Sequence, residues 1–195
     1  AGQVRIAAMP SLAATAVPRA MARFAQSHPQ VELSLTDTLS GPAFELVRSG
    51  QVDFALTAAN PAYADLDYTP LTADRFVLLC PMGHRLGQSR RPLRWMETLD
   101  EAHVSMPLPA SVRQYANEAF LQHGITFTPR FEVEHIATIH AMVRSGLGVA
   151  ALPEYAAAFV RQDGVTTRRL TGPDIERPIG VVTRRHRSLA PASQA

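Results

Sequence analysis

An α/β fold, with strands covered by helices, is predicted by three features of this chain. Short apolar runs alternate with segments whose apolar residues fall at helical spacing, along essentially all 195 residues. Glycine and proline punctuate the junctions. The stretch MVRSGLGVAALPEY at 142–155 combines both signals: a last helical turn, a glycine stop, a buried strand and a proline that opens the next helix. Ile139, Met142 and Val143 give its helix an apolar face, Gly146 suits a left-handed helix end, and Val149 to Leu152 are continuously apolar.

Val4 to Ala8 is the first expected strand. Ser11 is placed to cap the helix after it, which Pro18 bends or restarts. Val17, Met21, Phe24 and Ala25 fall on one face of that helix, and His28-Pro29 ends it. Val31, Leu33 and Leu35 alternate with polar residues, as in a half-buried strand. Ser40-Gly41-Pro42 opens a helix that turns Ala43, Leu46 and Val47 inward and stops at Gly50, and Val52 to Thr57 forms the third strand. The order β-α-β-α-β is that of a parallel sheet.

The second half repeats this class of pattern. Phe76 to Cys80 is a strand, followed by a turn-rich loop, a short helix over 95–102 and a strand over 103–106. Ser111-Val112-Arg113-Gln114 reads as a capping box for a helix with Val112, Tyr115, Ala116, Ala119 and Phe120 on one face, ended by Gly124. Residues 131–134 are extended and precede the helix of the 142–155 unit. Pro153 to Gln162 is expected to be helical, and 165–170 and 178–184 to be strands; a helix starts at Ala190. Two similar αβ sets suggest two lobes with a cleft between them.

Composition narrows the functional classes. With 46% apolar residues the chain buries a sizeable core, as one domain or two small lobes. Net charge is only +2 despite a pI near 9.1. The pairs Arg90-Arg91, Arg168-Arg169 and Arg184-Arg185 are dispersed rather than striped along one helix, so they read as solvated surface and not as a grip on DNA. No run of about 18 apolar residues predicts a membrane span. The segment AGQVRIAAMP lacks the charged and apolar regions of a signal peptide. Cys80 is the one cysteine, which leaves no disulfide or CxxC pair, and its apolar strand predicts a buried side chain.

Catalytic and metal sites are not expected. His135 and His140 are five apart, which does not put them on one helix face, and His28, His84, His103, His123 and His186 are scattered among turns and element ends. Asp65 with Asp67, and Asp100 with Glu101, lie in polar segments and read as solvated. No nucleophile elbow, HExxH, Walker loop or dinucleotide signature is present. Gly146-Leu147-Gly148 precedes a strand, so chain geometry explains it better than phosphate binding. Helix starts at Ser11, Ser40, Ser111 and near Ala137 are more informative. In open α/β sheets ligands collect at the carboxyl ends of strands, where free helix N–H groups favour an anion. Each serine is equally a simple cap, but several together make an anion-friendly cleft suited to a small carboxylate.

VRIAAMPSLAATAVPRAMARFAQSHPQVELSL at 4–35, LVRSGQVDFALTA at 46–58, FVLLCPMGHRL at 76–86, MVRSGLGVAALPEY and RPIGVVTRRHRSLAPA at 177–192 together resemble the effector-binding domain of LysR-type transcriptional regulators. The resemblance covers essentially the whole chain and implies a fold like type 2 periplasmic binding proteins: two Rossmann-like α/β lobes joined by two crossover strands, with a ligand cleft between them. Lobe I is then expected at 1–74 plus 177–195, and lobe II at 75–176. Family members carry an N-terminal winged helix-turn-helix and linker helix, so this sequence reads as an isolated regulatory domain, with a clipped C-terminal helix and DNA contact left to the missing part.

By position, the resemblance places the effector against Pro10, Ser11 and Leu12, the Thr38–Ser40 region with Ser40, Thr57, Ala58 and Ala59, Ser105, Met106 and Pro107, and Glu134, His135, Ile136 and Ala137. His135 stands where many relatives have a small hydroxyl residue; it either pairs with an anion or narrows the pocket. The implied protein is bacterial and cytoplasmic and needs no cofactor. It is a homodimer or tetramer, in which a small carboxylate effector changes the relative angle of the lobes and so controls transcription. A transporter's solute receptor could share this fold, and an enzyme is a third reading, against which the missing catalytic constellation counts.

Overall fold

The computed structural model describes residues 2–158, 163–186 and 188–194. The chain forms two compact units, Ala1–Ala73 with Pro178–Ala195, and Asp74–Arg177.

In unit 1, β1 (Gly2–Ala8) lies between β2 (Val31–Asp37) and β3 (Phe54–Ala58), parallel to both, with Ile6 paired to Leu35 and to Phe54. β10 (Glu176–Arg184) adds antiparallel to β3, pairing Ile179 with Ala58. Side-chain alternation along the strands supplies two cores. α3 (Ser40–Arg48) packs Ala43, Phe44 and Val47 against Ala7, Ala55 and Val182 on one face. The first helical segment packs Leu12, Ala13 and Val17 against Ala8, Ala58 and Ile179 on the other.

That segment departs from expectation. Pro10, which has no N–H to lose, takes the first helical position and makes Met9 the cap. Ser11 therefore sits inside the first turn of α1 (Pro10–Ala13), buried, rather than capping it. The chain restarts as α2 (Ala16–Ser27), two residues ahead of Pro18. Of the expected apolar face, Val17 is buried, Met21 and Phe24 are half-buried, and Ala25 is exposed. An apolar groove of about 480 Å³ runs there between α2, the sheet face and α7 (Pro191–Gln194).

β4 (Leu66–Pro81) is far longer than the Phe76–Cys80 core that betrays it, because its first half mixes polar and apolar residues and is mostly exposed. In unit 2 it pairs antiparallel with β8 (Ala150–Pro153) and β9 (Val165–Thr171), and β5 (Leu93–Arg94) lies parallel to β9. β6 (Val104–Ser105) and β7 (Phe131–Glu132) form a separate parallel pair. α4 (Ser111–Leu121), α5 (Ile136–Arg144) and α6 (Glu154–Ala157) complete the unit. The helix expected over 95–102 shrinks to a 3-10 turn, Trp95–Thr98, that aims the Trp95 indole into the core. Pro153 ends β8 and caps α6 instead of entering it, and 159–162 of the expected helix lie outside the described residues.

Apart from Pro153, the 142–155 unit forms as expected. Gly146 has φ +80° at the end of α5, the left-handed conformation that glycine adopts without strain. Gly148 is needed for a different reason: a Cβ there would lie 2.1 Å from the Ala102 carbonyl oxygen. The same oxygen accepts from Val149 N at 2.9 Å, so backbone and backbone meet at this point. Gly148→Ala is therefore expected to destabilise unit 2 by about 1–3 kcal/mol, as overpacking against an immobile backbone does. Gly146→Ala strains φ but leaves this contact, so in urea unfolding it should cost only about 1 kcal/mol.

Candidate functional site

The carboxyl ends of the three parallel strands in unit 1 are held level by their register, with Ala8 paired to Asp37 and to Leu56. Two cross-strand links continue beyond them: Thr38 N donates to Ala8 O at 3.0 Å, and Met9 N to Leu56 O at 3.1 Å. α1 and α3 start at this end. Leu12 and Ala58 share one core cluster with Met9, and Ser40 Oγ lies 4.0 Å from Met9 Sδ. Ser11 and Thr57 are buried polar residues in the same region. Unit 1 thus brings Ser11, Leu12, Ser40, Thr57 and Ala58 to one end of its sheet. Ser40 is the first residue of α3 rather than its cap, since Leu39 holds that place.

Thr57 stands out among them. It is 0% exposed, and its Oγ1 is buried with no hydrogen-bond partner. A hydroxyl left in that state costs about 1–3 kcal/mol.

In unit 2, Val133 N donates to Ser105 O at 3.0 Å, which keeps the segments after β6 and β7 side by side. Ser105 and Met106 are buried and Pro107 is half-buried. His135 caps α5 through its backbone, its carbonyl accepting from Thr138 and Ile139 N at 3.0 and 3.1 Å. Its imidazole is exposed, Ile136 behind it is buried, and Glu134 and Ala137 are exposed. The first N–H groups of α5 have no partner within the helix, as at any helix start. Ser111 does not form the expected capping box: Ala110 caps α4, and the Ser111 hydroxyl accepts from Arg177 Nη1 at 3.2 Å.

Nothing local marks Arg177 and Asp74 as partners, since each stands beside an oppositely charged neighbour, Glu176 and Arg75, and they lie 103 residues apart. Other carboxylates also found partners. Arg48 holds Asp65 below the usual carboxylate range, Arg185 pairs with Asp67 at 3.3 Å, and the expected solvated Glu101 is half-buried between His84 and Arg85. Arg168, expected on the solvated surface, is half-buried and donates to Ser89 O at 2.8 Å. Cys80 is fully buried, and burial raises its thiol to about 11, so it is a thiol and not a nucleophile at neutral pH. Among the described residues no cluster of three or more His, Cys, Asp or Glu is arranged to hold a metal ion. No helix among them is long and apolar enough to cross a membrane.

His103 and His140 are buried, with Nε2 against Thr98 O at 2.8 Å and Ala156 O at 3.2 Å. Burial lowers the pKa of both, against those hydrogen bonds. Below about pH 6.5 the unfolded chain therefore binds protons that the folded one resists, so stability is full above that pH and falls beneath it. Urea midpoints should drop between about pH 7.5 and 5, and less so in His140→Gln.

The model for the LysR substrate binding domain matches residues 1–195. An uncharacterized HTH-type transcriptional regulator of Escherichia coli, YbhD, is 24% identical over 193 residues, 99% of this chain and 61% of that protein. The chain spans about three fifths of the length of such curated relatives. The Synechocystis CcmR regulatory domain, solved in complex with 2-PG, superposes with a TM-score of 0.89 at 20% identity, over 100% of this chain and 93% of that one. The effector-binding domain of QuiR in complex with shikimate gives 0.85 at 18% identity, over 99% and 92%. These likenesses establish the type 2 periplasmic-binding-protein-like fold. Matched along its whole length by the family model, the chain is a member of the LysR substrate-binding domain family.

Proposed function

We propose that this chain is the effector-sensing part of a LysR-type DNA-binding transcriptional regulator, and that its effector is a small carboxylate. The observation that carries the carboxylate reading is the buried, unpartnered Thr57 hydroxyl at a strand end where two helices begin. The shikimate bound by QuiR, itself a carboxylate, supports the same class of guest. The two compact units are the two regulatory subdomains; the candidate effector contacts of the first are Ser11, Leu12, Ser40, Thr57 and Ala58, and those of the second are Pro107, His135 and Ile136. DNA contact belongs to the helix-turn-helix that the relatives' descriptions name, and the protein works without catalysis in the bacterial cytoplasm as a homodimer or tetramer. Control follows from the effector's preference for one of two arrangements, and cannot exceed that preference.

The test is a thermal-shift screen of aromatic and aliphatic carboxylates beside neutral analogues. A carboxylate at a hundred times its Kd adds about 2.7 kcal/mol to stability. Thr57→Val should weaken that compound about tenfold, the size of one buried hydrogen bond, and Ser11→Ala should weaken it as well. Stabilisation by neutral compounds with none by carboxylates would overturn the anion reading.

A further inference from the structure

The chain passes between its two units twice, after Ala73 and after Arg177. The residues on the unit 2 side of those passages meet each other. Arg177 Nη2 lies 3.0 Å from Asp74 Oδ2, with both side chains 1% exposed. The pair is not alone. Arg177 Nη1 donates to the hydroxyl of Ser111, the first residue of α4, at 3.2 Å. Tyr155 N, at the start of α6, donates to Asp74 Oδ1 at 3.4 Å.

A buried ion pair is a poor device for stability, because an apolar pair of similar volume often does as well or better. The guanidinium offers something else. It is a flat fork whose donors bind two partners in fixed directions at once. Here those partners belong to β4 and α4. The first turn of α4 is in turn continuous with Pro107: Ala110 N donates to Pro107 O at 3.1 Å, and Gln114 N to Ala110 O at 3.0 Å.

We propose that Arg177 is a positioning residue, which joins the Pro107–Ser111 turn to both strands on which the chain passes between its units. A displacement of that turn is then carried to β4 and β10 through the Arg177 side chain. This role rests on the reading above, in which Pro107 lies at the effector-binding end of unit 2.

Ser111→Ala tests it without any ligand, because it removes one arm of the fork and leaves the Asp74–Arg177 pair in place. Amide hydrogen exchange should rise about tenfold at residues 74–77 and 176–177 as well as at 110–113, the size of one hydrogen bond to a charged donor. Exchange at 167–170 on β9 should stay unchanged, and Ser111→Thr should restore protection. A rise confined to 110–113 overturns the link, and so does an equal rise throughout unit 2, which would be ordinary loss of stability. Since the readout uses no effector, failure of the carboxylate screen and failure of this link are separate results.

Discussion

Arg177→Met is expected to lower stability by about 3–5 kcal/mol, the cost of breaking a buried ion pair. The reason is what it leaves behind. Asp74 is 2% exposed, and burial already raises its carboxyl above the usual range against the pull of Arg177. Without the guanidinium the carboxylate has to take up a proton or bring in water, and either lowers the stability of the folded state. Asp74→Leu combined with Arg177→Met should recover most of the loss, because the pair is then replaced by apolar volume. Urea unfolding of the two single variants and the double variant gives the coupling directly. A double variant as unstable as the sum of the singles would show that the site depends on Arg177 for something other than charge balance.

Trp95→Ala should cost a similar amount, about 3–5 kcal/mol, by the opposite mechanism. Trp95 is 0% exposed and sits at the centre of the unit 2 core, with its ring 5.6 Å from Phe76 and 5.7 Å from Phe120. Its Nε1 donates to Pro173 O at 3.0 Å, so truncation leaves both a cavity and a half-buried carbonyl that has lost its donor. Trp95→Phe should be milder, since it keeps most of the packing and loses only the hydrogen bond. Near-ultraviolet circular dichroism and urea midpoints would report both, and equal losses in the two variants would place the effect on the hydrogen bond alone.

Both predictions concern residues that sequence reading weighed differently. Trp95 opens a segment expected to be a short helix, and its full burial appears only in the folded unit. Arg177 and Asp74 were not singled out, because a charge beside a strand is ordinary until the strands are placed. The serines teach the same lesson. Ser11, Ser40 and Ser111 mark helix starts in the sequence, yet none is a cap, because Pro10 shifts one start and Leu39 and Ala110 take the cap positions at the others.

The amino-acid sequence by itself determined the alternation of strands and helices, the glycine turn at Gly146 and the family. Those features rest on local periodicity, on backbone conformations that only glycine adopts freely, and on short patterns kept in order. It did not determine the length of β4, the unpartnered hydroxyl of Thr57, the Cβ-free contact of Gly148 with Ala102, or the Asp74–Arg177 pair. Each of these is a relation between residues distant in the chain. Burial and hydrogen-bond satisfaction exist only once the sheets have closed, and there the tertiary structure alone decides which polar groups are left wanting a partner.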